Sequence, residues 1–290
     1  MGPDYDDVGA ISLLHAYADS GYITILATMA STRYEGVAAV FNIFNTYFQR
    51  ADLPIGVPGG QALTLHDWQH WTDSLLVRYP HKLKMNQEAM DAVKLYRKIL
   101  AQQPPGSVTI ISTGFLTNLA GLLDSKADRY SPLDGRQLVA RKVKMLVCMA
   151  GRFPEGYEFN LDQDKAASKI VLQHWPTKIL FSGYEIGEKI PVGLPLIHNT
   201  ALAGSPVKMV FRICIPLAPE DSAGRKSWDE TAVMVAVKGY LPYYRLHYGR
   251  ILFCRDGKDR WLDKGRQQAY LVEAKSPKLV ETYLNNAIMH

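Results

Sequence analysis

The chain has 290 residues, 47% of them hydrophobic and 21% charged, a balance that excludes bulk disorder and suits one large α/β domain. No run approaches the roughly 20 apolar residues that span a bilayer, so we expect neither an integral membrane protein nor a membrane partner. The net charge of +5 is scattered, so nucleic acid is not an expected partner.

Periodicity predicts the following elements in chain order: a helix over residues 8–20, a strand over 22–27, a helix over 37–48, a short strand over 53–57, an irregular excursion with one helix over 61–82, a helix over 87–102, a strand over 108–111, a helix over 117–123, a strand over 143–149, a helix over 164–174, a strand over 178–181, a helix over 228–237, an antiparallel hairpin over 243–272 and a closing helix over 276–288. The hairpin turns at Asp256–Gly257, and Ser276 caps the last helix.

This alternation predicts an α/β fold, with a mostly parallel sheet flanked by helices and a small antiparallel hairpin near the C-terminus. No repeat or linker divides the chain, so residues 1–290 are expected to form a single domain. Ligands bind such sheets at the carboxyl ends of the strands. The polar residues that follow strands are therefore the candidates for a site.

The cysteines and the N-terminus carry little functional signal. Three unpaired cysteines favour neither a disulfide framework nor a zinc site, and Cys148 reads as an inert thiol in a buried strand. No strand precedes the first helix, a pattern consistent with a segment missing upstream of Met1. No signal peptide is visible, and cytoplasmic and periplasmic locations both stay open.

Acidic residues crowd the start of the first helix. Asp4, Asp6 and Asp7 occupy four positions there, whereas capping needs one acid. A bound cation would relieve their repulsion, and oxygen clusters of this kind suit calcium or magnesium. For the triplet alone, capping and metal binding both stay open.

Three later segments also place polar residues after strands or at helix starts: residues 112–119, 149–160 and 227–232. In the second, Glu158 and Asn160 alternate about Phe159, so both can face one side of an extended segment. Taken singly, the first and third segments are equally well explained by helix capping, with Asp229 or Ser227 as the cap in the third.

Taken together, the segments resemble the inosine-uridine preferring nucleoside hydrolase family. Five motifs match in order between residues 2 and 232: Gly-Pro-Asp-Tyr-Asp-Asp-Val-Gly-Ala from Gly2, Gly-Phe-Leu-Thr-Asn from Gly114, Met-Ala-Gly from Met149, Glu-Phe-Asn from Glu158, and Trp-Asp-x-x-Ala from Trp228. The set is far more specific than any one of its members.

The resemblance implies a Rossmann-like α/β domain that hydrolyses the N-glycosidic bond of ribonucleosides to ribose and free base, with a calcium ion in the pocket. The implied calcium ligands are the carboxylates of Asp7 and Asp229 and the backbone carbonyl of Thr117. Asp6, which is also expected to be catalytic, and Asn160 would bind ribose hydroxyls, with Glu158 at the ribose edge and Met149 against the sugar. Departure of the base leaves positive charge on the ribose, an oxocarbenium-like transition state that acids stabilise.

Two departures from the family pattern bear on catalysis. The family's first Asp-x-Asp would precede Met1, so its general base is absent from this chain, and Asp4 is the candidate substitute. Many members have a histidine where this chain has Trp228, which stacks on a base but delivers no proton. His66, His70 and His81 are candidates for that proton, with a surface or core role as the alternative.

These departures keep a second hypothesis open, a catalytically impaired homologue that binds a nucleoside or sugar without turnover. A third, weaker hypothesis is an interaction protein that uses the aromatic hairpin between Tyr243 and Trp261. The family resemblance also implies a homodimer or homotetramer.

Overall fold

The computed structural model describes residues 1 and 3–289, so Gly2 of the opening motif lies outside the described residues. The α-helices, in chain order, are α1 (Asp6–Asp19), α2 (Val37–Tyr47), α3 (Trp71–Arg78), α4 (Ala92–Gln102), α5 (Thr117–Asp124), α6 (Gly135–Lys142), α7 (Phe159–Gln163), α8 (Lys165–His174), α9 (Tyr184–Gly187), α10 (Leu194–His198), α11 (Pro206–Leu217), α12 (Trp228–Lys238) and α13 (Pro277–Ala287). No helix among the described residues is long and apolar enough to cross a membrane.

The strands are β1 (Thr28–Met29), β2 (Ile55–Val57), β3 (Met90–Asp91), β4 (Val108–Ser112), β5 (Val143–Met149), β6 (Glu155–Gly156), β7 (Lys178–Ser182), β8 (Pro191–Val192), β9 (Arg225–Lys226), β10 (Tyr244–Phe253), β11 (Asp259–Leu262) and β12 (Gln268–Glu273). The main sheet has the order β4-β5-β7-β12-β10-β11-β6, and its first four strands run parallel. A small parallel sheet, β1-β2-β3, and the antiparallel pair β8-β9 contain the remaining strands of the described residues. The predicted fold class is confirmed.

The main sheet separates two apolar cores because side chains alternate between its faces. In β5, Val147 and Met149 belong to the core that includes α1 and α12. Leu146 and Cys148 point the other way, into the core beneath α5 and α8. Cys148 is a buried free thiol, as predicted.

The predicted C-terminal hairpin is present but forms part of a larger arrangement. β10 pairs antiparallel with β11 around a turn that contains Gly257. On its other side β10 pairs antiparallel with β12, which in turn pairs parallel with β7. The hairpin therefore extends the main sheet. Ser276 caps α13 by accepting a hydrogen bond from the Lys278 backbone, as predicted.

One predicted element is absent and another is wrong in extent. Residues 22–27 form no strand; the pairing with β2 begins only at the next residue, Thr28, which lies opposite Ile55. The helix predicted over 87–102 begins at Ala92, where the Asp91 side chain caps it, since the residues before it pair with β2. Helices α6, α7, α9, α10 and α11 were not predicted; α7, α9 and α10 have only four or five residues each, and α11 contains Pro216 near its end.

Helices α1 and α12 pack so closely that their contact requires a glycine. A Cβ on Gly9 would overlap the carboxylate of Glu230, which is fully buried in the first turn of α12. The starts of the two helices are therefore held at one end of the same interface.

We predict that Gly9→Ala lowers the free energy of unfolding by about 1–3 kcal/mol, because the added methyl overpacks this interface. Thermal unfolding measures the change. Gly204→Ala is the matched control, since a Cβ there meets no atom within 4 Å. Equal melting temperatures for the two variants would contradict the prediction, because they would show that α1 and α12 can move apart to accept the methyl group with no loss of stability.

A buried acid holds the loop that follows β5. Both carboxylate oxygens of Asp259, on β11, accept the Arg152 backbone N–H at 3.2 Å. Burial raises the pKa of Asp259 to about 7, and the hydrogen bond from Arg152 only partly opposes this. Its folded-state pKa therefore lies above its ordinary value of 3.8. The resulting stabilisation is fully present below that ordinary value and is lost as pH rises through about 7.

We predict that the melting temperature falls as pH rises from about 4 to 7, between the ordinary and the folded-state pKa of Asp259, and that Asp259→Asn makes this fall shallower. One such group contributes at most about 1.4 kcal/mol per pH unit. Asp256→Asn, at an exposed turn residue whose pKa is lowered by the Lys258 backbone, should keep the wild-type profile. An unchanged slope in Asp259→Asn would contradict the assignment.

Candidate functional site

Two helix starts bring carboxylates together from opposite ends of the chain. Asp6 and Asp7 lie in the first turn of α1, and Asp229 and Glu230 lie in the first turn of α12. The positive ends of both helix dipoles favour negative charge at these positions. Asp6, Asp229 and Glu230 are nonetheless almost completely buried, so their charges need further compensation.

Arg225 supplies part of that compensation. From β9, its guanidinium lies 2.8 Å from the Asp6 carboxylate, 3.2 Å from Asp4 and 3.4 Å from Asp221. It also lies over the ring of Trp228, 5.2 Å from the ring centroid. The arginine therefore ties the start of α1 to the residues just before α12.

Asp7 has separate partners. Its carboxylate accepts a hydrogen bond of 3.1 Å from the Thr113 hydroxyl, just after β4, and lies 3.4 Å from the amino group of Met1. Burial and the nearby charge of Asp6 raise the pKa of Asp7, while the Met1 amino group acts in the opposite direction. Asp7 thus joins α1 to the carboxyl end of the main sheet.

The α12 acids have little direct compensation. Burial, followed by the charges of Asp6 and Asp7, raises the pKa of Asp229 well above its usual range. Burial and the charge of Asp6 do the same for Glu230. Neither carboxylate oxygen of Glu230 has a hydrogen-bond partner among the described residues. The region therefore favours the binding of a proton or a cation.

The loop after β5 forms another wall of the site. The Glu158 carboxylate accepts backbone hydrogen bonds from Gly151, Asn160 and Leu161, and so caps α7. Burial raises the pKa of Glu158 to about 7 despite these bonds. The Asn160 amide donates to the carbonyl of Met149 at 3.2 Å. Both side chains are therefore held in fixed positions.

These elements enclose a cavity of about 250 Å³. Of the residues predicted for the site, it brings together Asp4, Asp6, Asp7, Met149, Glu158, Asn160, Trp228 and Asp229. Thr117 is not part of the lining; it begins α5, and its hydroxyl donates to Asp164 at 2.6 Å. No described histidine lines the cavity, so His66, His70 and His81 lie outside it.

Sequence reasoning missed three residues of the lining, Ser31, Arg225 and Tyr184. Tyr184 follows β7 by two residues, so the rule that directs attention to the ends of parallel strands would have found it. Its ring lies 5.3 Å from that of Trp228, and its carbonyl accepts the indole N–H at 2.8 Å. Arg225 lies on a two-residue strand within no recognisable motif, and only the fold places it among the acids.

The donors in the cavity fit a hard divalent cation by their chemistry. Asp7 and Asp229 offer carboxylate oxygens to the cavity, whereas Glu230, next to Asp229 in sequence, is not part of its lining. Calcium takes about 6–8 oxygen ligands, so water or ligand hydroxyls would have to complete the set. In the described part of the chain, one set of three side chains has potential metal-ligand atoms that all lie within 4.8 Å of one another. These are the exposed residues His66, His70 and Asp73, which do not line the cavity.

Comparisons with known proteins show the family and the fold of this chain. The model of the family described as inosine-uridine preferring nucleoside hydrolase matches residues 1–276. The chain is 25% identical over 213 residues to the pyrimidine-specific ribonucleoside hydrolase RihA of Salmonella arizonae, a match that covers 72% of this chain and 66% of that protein. It is 31% identical over 137 residues to the inosine-uridine preferring nucleoside hydrolase of Crithidia fasciculata, covering 45% and 36% of the two chains.

The chain therefore spans 66% of the length of the first of these relatives and 36% of the length of the second. Among solved structures, the plant nucleoside hydrolase PpNRh1 superposes with a TM-score of 0.74 at 18% identity, covering 100% of this chain and 97% of that chain, which shows a shared fold. The family's enzymes hydrolyse ribonucleosides and are generally metal-dependent. Because the family model extends over nearly all of the sequence, the chain belongs to the inosine-uridine preferring nucleoside hydrolase family.

Proposed function

We propose that this chain hydrolyses the N-glycosidic bond of ribonucleosides to ribose and free base, with calcium as its metal. One observation carries the proposal: acids and an amide from α1, the β5 loop and α12 line a single cavity of about 250 Å³. Pockets for drug-sized ligands hold roughly 300–1,000 Å³, so this one suits a small polar ligand such as a nucleoside.

The ribose is expected to bind between the β5 loop and the start of α1. Asn160 and Asp6 present polar atoms suited to sugar hydroxyls, and Met149 supplies an apolar contact. Asn160 is held by its bond to the Met149 carbonyl, so it needs little reorganisation on binding. Glu158 acts mainly by positioning, because its oxygens already accept three backbone N–H groups.

Loss of the base places positive charge on the ribose, and the surrounding acids stabilise that charge. Asp4 is the candidate general base for the attacking water. Desolvation raises the pKa of Asp4 to about 6 and Arg225 acts in the opposite direction, although 49% of the side chain is exposed, so solvent weakens the shift. A carboxylate with a pKa near the working pH suits proton abstraction.

Calcium, held by Asp7 and Asp229, would offset their repulsion, orient the sugar hydroxyls and lower the pKa of a bound water. Trp228 and Tyr184 form an aromatic wall at the same cavity. A nucleobase can stack against such a wall. The departing base is therefore assigned to this side of the cavity.

A second candidate function is binding of a nucleoside or sugar without turnover. Arg225 already pairs with Asp4 and Asp6, the two carboxylates assigned to base catalysis and ribose binding. An arginine in that position stabilises the acids of the folded site without a metal ion. Its ion pair also keeps Asp4 ionised while occupying the carboxylate that would otherwise accept a proton from water. The two candidates differ only in whether product forms.

We predict that Asp229→Asn weakens calcium binding by roughly 10–100-fold in titration calorimetry, because it removes a charged oxygen donor. Asp52→Asn is the control, since that acid is exposed and pairs only with Lys82 among the contacts of the described residues. Equal calcium affinity in the two variants would remove Asp229 from the metal site.

We predict that the protein releases ribose from inosine or uridine in the presence of calcium, and that a chelator abolishes release. Asp229→Asn should lower kcat/KM by roughly 10²–10³-fold, the size expected when a transition-state stabilising group is lost. A reducing-sugar assay measures the product. Saturable binding of the nucleosides without any ribose would establish the non-catalytic candidate instead.

A further inference from the structure

A second group of potential metal ligands lies outside the candidate functional site, on the segment that leads into α3. His66, His70 and Asp73 each bring a ligand atom to within 4.8 Å of the others. The Nδ1 atom of His70 lies 3.0 Å from one carboxylate oxygen of Asp73, and the Nε2 atom of His66 lies 3.6 Å from the other. Ligands bound at about 2.0–2.2 Å to a tetrahedral zinc ion lie roughly 3.3–3.6 Å apart. The carboxylate is therefore already spaced from both imidazoles much as zinc requires.

The contacts of His66 with Asp67 determine which ring nitrogen carries the proton. Its Nδ1 atom lies 3.1 Å from the Asp67 carbonyl oxygen and 3.2 Å from an Asp67 carboxylate oxygen. Both oxygens are acceptors, so we assign the proton to Nδ1, which leaves a lone pair on Nε2. Metal-binding histidines are commonly oriented in this way, with the second ring nitrogen donating to a carboxylate or a carbonyl.

This assignment places two acceptors close together. The Nε2 lone pair of His66 lies 3.6 Å from an Asp73 oxygen, and the nearby Thr72 hydroxyl donates to the Asp67 carboxylate. In the described part of the chain, Asp73 has ion-pair contacts with His66 and His70 and with no lysine or arginine. A cation between the imidazoles and the carboxylate would therefore replace a repulsive contact with bonds.

Buried residues next to the ligands hold them in place. The Asp67 carboxylate is 1% exposed, and it accepts the backbone N–H groups of Trp71 and Thr72 at the start of α3. The side chains of Trp71 and Thr72 are themselves fully buried. The two histidines thus flank a turn that is fixed to the core, so little conformational freedom is lost when an ion binds.

Two imidazoles and one carboxylate favour zinc over calcium. Calcium takes oxygen ligands, whereas zinc binds histidine nitrogen and aspartate oxygen, and zinc sites with three protein ligands leave a fourth position open. The three side chains are between 34% and 74% exposed, so water can reach that position. We propose that His66, His70 and Asp73 form a zinc site that is separate from the candidate functional site and independent of the proposed hydrolysis.

Titration calorimetry with zinc, carried out in excess calcium, tests the site, because calcium competes for sites made of carboxylates alone. We expect one zinc ion per chain. His70→Asn and Asp73→Asn should each lower the zinc affinity by at least about 10-fold, since each removes a direct ligand. Asparagine tolerates the left-handed backbone of His70, where φ is 55°, and Asp73 is exposed, so both variants should fold.

The matched control is His247→Ala. His247 is 43% exposed and lies 2.7 Å from Asp263, an exposed histidine–aspartate pair that belongs to no group of three ligands among the described residues. This variant should keep the wild-type zinc affinity. Asp229→Asn should also keep it, because the proposed zinc ligands do not line the cavity that holds Asp229.

Absence of zinc binding by the wild-type chain would overturn the proposal, and so would equal zinc affinity in the wild type, His70→Asn and Asp73→Asn. Loss of zinc binding in Asp229→Asn but not in His70→Asn would assign the ion to the acidic cavity and would equally overturn it. These measurements involve no nucleoside. Failure of the zinc site and failure of the proposed hydrolase activity are therefore distinguishable.

Discussion

The close packing of α1 against α12 is the contact on which the rest of the site depends. It sets the first turns of two helices side by side, although Asp6 and Asp229 are more than two hundred positions apart in the sequence. Gly9 permits the approach, because any larger residue would meet the buried Glu230. The acids therefore gather through the geometry of helix packing, with no local motif that joins them.

Gathering acids in a buried region is costly unless positive charge or protons compensate. Arg225 balances Asp6 and Asp4, and the Met1 amino group lies beside Asp7. Glu230 has no comparable partner. The charges are therefore balanced unevenly: Arg225 pairs with Asp4 and Asp6, whereas the acids at the start of α12 have no such partner among the described residues.

The carboxyl end of the parallel strands also positions one of the acids. Thr113, directly after β4, donates a hydrogen bond of 3.1 Å to the Asp7 carboxylate. Asp7 and Thr113 both line the candidate site, so the end of the main sheet and the start of α1 meet there.

The sequence by itself determined the alternation of strands and helices, the cap at Ser276 and the segments that line the site, because periodicity and capping are local properties. Only the tertiary structure decided which partners these residues meet. Residues 22–27 have strand composition but no paired neighbour, and a strand exists only where another edge completes its hydrogen bonds. Likewise, Arg225 reaches the acids through a fold contact 219 positions from Asp6, which no local pattern encodes.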